Sequence, residues 1–188
     1  MPPPPVESRG YLPRLPAEAY RGRAVVFWTH TIKNRARGWL DRDFHHVFRE
    51  LSLHVAVREQ LLCPVYTLMP DHLHLIWMGV NASSDQRPAC TFLRRWLEPT
   101  LGFFGFQHQA YDHVFREQER KQSAFMATCR YIAENPVRAG LVPSAGLWPY
   151  TGCLVPGFPE LHPLRPDFWQ IFWQIYEAAV ARGNLVLL

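Results

Sequence analysis

The sequence lacks the features of a secreted, disulfide-bonded or membrane-spanning protein. Its cysteines are widely spaced and form no C-x-x-C pair, so the sequence predicts neither a zinc knuckle nor a disulfide framework. The first residues, MPPPPVE, have neither the basic start nor the apolar core of a signal peptide. No run approaches the roughly 18 apolar residues that a membrane span requires. We therefore expect a protein of the reducing cytoplasm.

The chain also lacks a large excess of charge. Its formal net charge is +4 and its pI is about 9.0, which favours a polyanionic partner without requiring one. A hydrophobic content of 48% over 188 residues predicts one well-filled globular core and argues against disorder. The aromatic share of 14% can serve that core, and aromatic rings also stack on unpaired bases.

Strand and helix patterns alternate along the chain, which predicts one α+β sandwich with an antiparallel sheet. β-Branched and aromatic residues predict strands at residues 23–31, 64–69 and 72–80, the last two joined as a hairpin. Apolar residues at helical spacing predict helices at residues 41–62, 91–101, 117–134 and 167–182.

The ends of these elements can also be predicted. Asp41 or Asp43 is expected to cap the first helix, and Pro136 is expected to end the third. Residues 81–88 are expected to form a loop and residues 111–116 a short connector. Residues 143–166 are proline-rich, and we expect them to be irregular.

Two histidines lie two residues apart in the apolar run MPDHLHLIW at residues 69–77. In a strand, side chains at i and i+2 point to the same face, so His72 and His74 can reach one metal ion. Neutral imidazoles leave open positions on a divalent ion, which would polarise a phosphate oxygen. The alternative is a pair of half-buried histidines that hydrogen-bond to backbone carbonyls.

The segment YIAENPVRAG at residues 131–140 places a tyrosine one helical turn before an asparagine. Tyr131 and Asn135 would therefore project from one helix face, as a phenol and an amide oxygen. A phenol titrates at about pH 10, so nucleophilic attack at neutral pH needs proton removal or metal assistance. Alternatively, Tyr131 is a packed aromatic residue, and Asn135 before a proline marks the end of a helix.

Basic residues cluster in the middle of the chain, around this second segment. We predict that they contact phosphates, and the alternative is that they cover solvated helix faces. They are Arg94, Arg95, Arg116, Arg120, Lys121, Arg130 and Arg138.

These segments resemble the motifs of a known family. MPDHLHLI at residues 69–76 resembles the His-hydrophobe-His motif of the HUH single-strand endonucleases. YIAENPVRAGLV at residues 131–142 closely resembles the tyrosine motif of the REP-associated tyrosine transposases, bacterial relatives of the single-tyrosine transposases of small insertion sequences. YDHVFR at residues 111–116 and WPY at residues 148–150 resemble connecting segments of that family. The likeness runs from about residue 23 to about residue 153.

The resemblance implies a ferredoxin-like antiparallel sheet of four to five strands, with helices packed on one side. It implies a Mg²⁺ or Mn²⁺ ion held by His72, His74 and Asn135. Tyr131 would attack single-stranded DNA and give a 5′-phosphotyrosine link and a free 3′-OH. The implied substrates are folded palindromes with unpaired flanks. The protein would be a nucleoid-associated bacterial monomer or homodimer that acts as a DNA endonuclease and strand transferase.

On this interpretation, the chain has three parts. Residues 1–20 would form a proline-rich arm, residues 21–153 the transposase-like catalytic domain, and residues 154–188 a tail. The amphipathic helix of the tail is predicted to be a packing element or a dimer contact.

Two other functions compete with this reading. One is a catalytically silent regulatory protein that binds DNA hairpins. The other is a metallohydrolase that uses Asp71, His72 and His74. The second needs further His or Asp ligands, and the sequence does not assign His30, His45, His46 or His54 to one site.

Overall fold

The computed structural model describes residues 13–121 and 124–185, with only the backbone of Lys121. One antiparallel sheet carries the fold, with the strand order β4-β1-β3-β2-β5. The strands are β1 (Val25–Thr31), β2 (Leu61–Met69), β3 (His72–Gly79), β4 (Tyr111–Val114) and β5 (Thr151–Leu154).

Helices connect and cover these strands. They are α1 (Arg42–Glu59), α2 (Gln86–Leu97), α3 (Glu117–Lys121), α4 (Ala124–Arg138) and α5 (Phe168–Arg182). The chain order β1-α1-β2-β3-α2-β4 with the strand order β4-β1-β3-β2 is the ferredoxin-like arrangement. β5 adds a fifth strand beside β2. The predicted fold class is confirmed.

Helices pack on both faces of the sheet, which corrects the expectation that they lie on one side. Leu73 and Trp77 of β3 lie in a core with α1 and α2. Ile76 and Met78, which alternate with them, lie in a second core with α4 and α5. Residues 73–79 are buried throughout, because a strand covered on both faces is apolar on both.

The helix starts follow from side-chain caps. The backbone N–H of Phe44 donates to Asp41 Oδ1 at 2.7 Å, so Asp41, rather than Asp43, caps α1. Asp85 caps α2 in the same way, with its Oδ1 accepting from the N–H of Arg87 at 3.0 Å. α2 therefore begins at Gln86, inside the expected 81–88 loop and five residues before the predicted helix start.

Two segments expected to be irregular contain strands. β4 lies within the expected 111–116 connector, and β5 lies within the expected 143–166 irregular segment. Both are four-residue strands that pair on one side, β4 with β1 and β5 with β2. So short a strand carries little periodic signal of its own, and its ladder partner is distant in sequence.

The expectation that Pro136 ends the helix was wrong, because α4 continues through it to Arg138. A proline so near the end of a helix removes a single backbone hydrogen bond, and burial of its ring offsets that loss. The predicted helix at 167–182 is confirmed as α5. Phe168 and Phe172 of α5 are buried in the second core, so the helix is a packing element.

A further proline lies inside the sheet. Pro64 is in β2, and the registers of both neighbouring ladders shift around it. A proline cannot donate to a ladder, so it occupies a bulge. The predicted domain boundaries after residues 20 and 153 remain predictions. Residues 1–12 of the predicted arm lie outside the described residues.

Candidate functional site

The structure brings the histidine pair and the predicted nucleophile together. His72 and His74 share the face of β3 that carries Ile76 and Met78, and α4 covers that face. Tyr131 of α4 has its ring centroid 6.2 Å from that of His74. The phenol and the imidazoles therefore lie in one site, as the two segments of the sequence predicted.

Each imidazole is oriented by a partner at Nδ1. Asp71 Oδ1 lies 2.7 Å from His72 Nδ1, and Thr29 Oγ1 lies 2.9 Å from His74 Nδ1. Arg35 Nη1 donates to the other carboxylate oxygen of Asp71 at 3.0 Å. These partners are side chains, so the alternative in which the histidines bond backbone carbonyls does not describe the pair.

The two Nε2 atoms face each other at 2.9 Å. The Asp71 carboxylate accepts the Nδ1 proton of His72, which leaves Nε2 of a neutral His72 as a lone pair. His74 then has two ways to complete the pair. It can donate its own Nε2–H to His72, or it can give Nδ1–H to Thr29 so that both lone pairs converge on a cation.

Burial favours neutral imidazole at this site. Desolvation, together with the nearby His72 and Arg35, lowers the pKa of His74 to about 3, and Asp71 opposes this shift. Partial burial opposes ionisation of Asp71, but hydrogen bonds from His72 and Arg35 outweigh it and hold its pKa below the ordinary value. The carboxylate therefore stays charged and His74 stays uncharged at neutral pH, which is the state a metal ligand needs.

Tyr131 lies under a cation. The Arg138 guanidinium lies 4.6 Å from the centroid of the Tyr131 ring, and Arg138 is exposed. Tyr131 is 38% exposed, so its side chain can be reached from outside. An aromatic ring and a cation in this arrangement attract each other, and the guanidinium also offers donors for a phosphate.

Asn135 lies one helical turn after Tyr131, on the same side of α4. Its buried Nδ2 has no hydrogen-bond partner among the described residues. The oxygen and nitrogen of an amide exchange places when the group turns over, so the same buried position can hold an oxygen. With the oxygen in that position, a buried acceptor without a hydrogen-bond partner is the kind of group that a bound cation would satisfy.

The donor set fits a divalent cation. Two ligands at about 2.1 Å and at right angles on an octahedral ion are about 3.0 Å apart, close to the observed separation of the Nε2 atoms. In the described part of the chain, no group of three or more His, Cys, Asp or Glu side chains could hold a metal. A third protein ligand would therefore have to be of another residue type, and Asn135 is the predicted candidate. The same finding argues against the metallohydrolase hypothesis.

A polar row crosses the sheet at His74. Thr29 and Thr67 pair with His74 from its two neighbouring strands, and Tyr111 and Thr151 extend the row to the sheet edges. Residues paired in this way project to the same face. Tyr111, which is 48% exposed, is therefore a second accessible phenol on the histidine side of the sheet.

The predicted phosphate contacts occupy several surfaces. Arg94 and Arg95 belong to α2, which packs on the opposite face of the sheet from His74. Arg94 donates to the backbone carbonyls of Gln107 and His108, and Arg120 donates to those of Arg23 and Phe115. These bonds give Arg94 and Arg120 structural partners.

The remaining predicted contacts differ in what they touch. Arg95, Arg116, Arg130 and Arg138 are exposed. Only Arg138 among these four has a described contact with Tyr131. The side chain of Lys121 lies outside the described residues. A phosphate-binding role for any of the seven remains a prediction.

Sequence reasoning missed Thr29 and Arg35, and it gave Asp71 a role only in the metallohydrolase alternative. An acidic residue directly before a histidine could have suggested the Asp71 contact. Thr29 and Arg35 could not be found in this way, because their contacts depend on the pairing of β1 with β3 and on the loop that follows β1.

The four cysteines are free and buried. Burial raises the pKa values of Cys90 and Cys153 to about 12. Within residues 13–121 and 124–185, no helix combines the length and the apolar character needed to span a membrane.

Comparison with known proteins agrees with the fold. No family model matches the sequence, and no curated protein matches it. Among solved structures, the fold is similar to that of a REP-associated tyrosine transposase bound to a REP hairpin. The TM-score is 0.63 at 20% sequence identity, and the match covers 76% of this chain and 81% of that one. A likeness at this identity establishes the fold, a ferredoxin-like α+β sandwich.

Proposed function

We propose that this protein is a divalent-metal-dependent, single-stranded DNA endonuclease and strand transferase that acts through Tyr131. The main support for the proposal is that the ring centroids of Tyr131 and His74 lie 6.2 Å apart. Beside them, the Nε2 atoms of His72 and His74 face each other. A nucleophile next to a preorganised cation site is what phosphodiester cleavage needs at neutral pH.

The proposed roles follow from the contacts. His72, His74 and Asn135 hold Mg²⁺ or Mn²⁺, and Asp71 and Thr29 orient the imidazoles. When bound, the ion neutralises charge on the phosphate and favours the ionised phenol. Arg138, above the Tyr131 ring, lies where it can contact the same phosphate.

In the proposed reaction, the Tyr131 phenol loses its proton and its oxygen attacks the phosphorus atom. A phosphorus–oxygen bond forms to the tyrosine, and the bond to the 3′ oxygen breaks. That oxygen takes up a proton and leaves as a 3′-OH, so the product is a 5′-phosphotyrosine link. Attack on this link by another 3′-OH would transfer the strand and restore the tyrosine.

The proposed substrate is DNA that forms a hairpin with unpaired flanks. Support comes from the similar solved structure, which holds a REP hairpin, and from the tyrosine motif of this chain.

A denaturing gel tests the proposal. The protein is incubated with Mn²⁺ and a hairpin oligonucleotide that has single-stranded flanks and a label on the 3′ side of the predicted cut. Wild type should give a band that carries both protein and label. Tyr131→Phe should bind the oligonucleotide and give no such band, and EDTA should abolish the band from wild type.

The other outcomes identify the competing functions. A mobility shift on a native gel without any covalent band would favour the silent hairpin-binding protein. If the protein neither binds the oligonucleotide nor forms the covalent adduct, the proposed function is wrong. Tyr111→Phe is a matched control, because Tyr111 is also an exposed phenol on the same side of the sheet.

A further inference from the structure

An exposed aromatic ring, on a turn that hydrogen-bonds to the loop after β1, has no role in the core. Phe103 is 92% exposed, more than any other large apolar side chain among the described residues. A ring so exposed adds almost nothing to the stability of the fold. It follows α2 and the 3-10 turn Glu98–Leu101.

The backbone presents this ring outward. Gly102 has φ 58° and ψ −120°, and the N–H of Phe104 donates to the carbonyl of Leu101 at 3.0 Å. These are the dihedrals and the hydrogen bond of a type II′ turn, whose first central residue is normally glycine. Phe103 is the second central residue of the turn and therefore occupies its tip.

The turn is fixed to the loop that follows β1. The N–H of Lys33 donates to the carbonyl of Gly105 at 2.8 Å, and Ile32 forms a β-bridge with Phe106. The Phe104 ring packs on the first core, with its centroid 4.2 Å from that of Phe103. The exposed ring therefore has a rigid base.

The loop beside it is cationic and leads to the histidines. Lys33, Arg35 and Arg37 are all exposed. Arg35, which has a φ of 50°, bonds the Asp71 carboxylate that orients His72. A non-glycine residue in this left-handed region is strained, so the backbone conformation that lets Arg35 reach Asp71 costs free energy.

Two acidic groups offset part of this charge. Asp71 pairs with Arg35, and Glu98 lies beside Lys33, where both approach Gly105. The positive charge that faces solvent therefore comes from Arg37 and from the exposed part of the Arg35 side chain. We call Phe103, together with the exposed cations of the adjoining loop (Lys33, Arg35 and Arg37), the aromatic-basic strip.

We infer that the aromatic-basic strip binds the unpaired strand that flanks the hairpin, with Phe103 stacked on a base and Arg37 on a phosphate. The inference rests on the proposed function and identifies the part of the substrate that this end of the sheet holds. Stacking on an aromatic ring needs a base whose face is open, so a single strand fits the strip and a duplex does not.

Binding, measured apart from cleavage, tests the inference. Fluorescence anisotropy gives Kd for two labelled hairpins, one with oligo-deoxythymidine flanks and one without flanks, in a Tyr131→Phe background. Adding Phe103→Ala should weaken binding of the flanked hairpin about ten-fold or more, the loss expected for one stacked base. Binding of the flankless hairpin should not change.

Trp96→Ala is the matched control, since Trp96 is 53% exposed and lies on α2. It should leave both constants unchanged. Arg37→Gln should weaken binding of the flanked hairpin and reduce its dependence on salt. A 2-aminopurine placed in the flank should be quenched by the parent protein and not by Phe103→Ala.

Equal binding of the flanked hairpin with and without the Phe103 ring would overturn the inference, as would an equal loss for both hairpins. Loss of a dimer on Phe103→Ala with unchanged DNA binding would assign the ring to a second copy of the chain. A parent that binds neither hairpin would contradict both the inference and the proposed function. The inference can also fail while wild type still forms the Tyr131 adduct, so the two failures are distinguishable.

Discussion

His72 Nε2 and His74 Nε2 lie 2.9 Å apart, and each ring has its Nδ1 occupied by another side chain. The alternation of β3 places both rings on one face, and Asp71 and Thr29 then set their orientation. The pair is therefore built from two neighbouring strands and the turn before β3. Its chemistry depends on residues that would not themselves touch a substrate.

Asp71→Asn should weaken metal binding without unfolding the protein. An amide does not match the carboxylate as an acceptor for His72 Nδ1–H, and loss of such a partner typically lowers metal affinity by about 10- to 100-fold. Titration calorimetry with Mn²⁺ measures the change. Asp167→Asn is the control, because its ion pair with Arg165 is exposed and remote in sequence. Equal Mn²⁺ affinity in the Asp71 variant would contradict the role given to this carboxylate.

His74→Ala should remove the stabilisation that Mn²⁺ gives to the folded protein. An ion that binds only the native state raises Tm as its concentration rises. This variant lacks one of the imidazoles that are proposed to hold the ion. Thermal melts over a series of Mn²⁺ concentrations provide the measurement. His54→Ala should keep the Mn²⁺ effect, because His54 is exposed and stacks on Phe92. An unchanged Mn²⁺ response in His74→Ala would show that the ion binds elsewhere.

Gly152→Ala should destabilise the protein by about 1–3 kcal/mol through overpacking. A Cβ at Gly152 would lie 2.7 Å from the hydroxyl of Tyr66, which is fully buried. That hydroxyl cannot move aside freely, because Arg49 donates to it at 2.8 Å and His45 Nε2 lies 2.8 Å away. Urea unfolding measures the difference. Gly146→Ala is the control, since open space surrounds Gly146, and equal losses in both variants would refute the packing argument.

Stability should fall as the pH is lowered from about 6.5 toward 4. Desolvation lowers the pKa of His45 to about 4, and burial lowers that of His30 well below its ordinary value. Between the lowered pKa values of the native state and the histidine pKa of about 6.5 in the unfolded chain, the unfolded chain binds more protons. The contribution of these histidines to the free energy of unfolding is therefore fully present above pH 6.5 and is lost on acidification. Urea midpoints at a series of pH values provide the measurement. His45→Gln should flatten the slope, and an identical slope would contradict the assignment to this residue.

The sequence predicts the two segments that meet in the structure better than it predicts the edges of the sheet. Periodicity places His72 and His74 on one strand face and Tyr131 on one helix face, and the resemblance to a known family singled out both segments. The roles of these residues remain predictions. The helix α5 was likewise predicted by periodicity, from its long apolar stripe. β4 and β5 were not, since four residues are too few to show a period and their ladder partners come from elsewhere in the chain.

The rest of the site depends on pairing that sequence spacing does not encode. Thr29 meets His74 only because β1 and β3 pair in one particular register. Tyr111 reaches the same face only because β4 adds to β1 in register with Thr29. The polar row is a property of the assembled sheet.

Mass spectrometry can identify the residue that becomes attached to DNA. Wild type is incubated with Mn²⁺ and the flanked hairpin, the DNA is trimmed with nuclease, and tryptic peptides are analysed by mass spectrometry. Trypsin cuts after Arg130 and Arg138, so Tyr131 lies in the peptide YIAENPVR, apart from Tyr111. We expect a nucleotide mass on Tyr131 of that peptide. A nucleotide on Tyr111, or on any other residue, would contradict it.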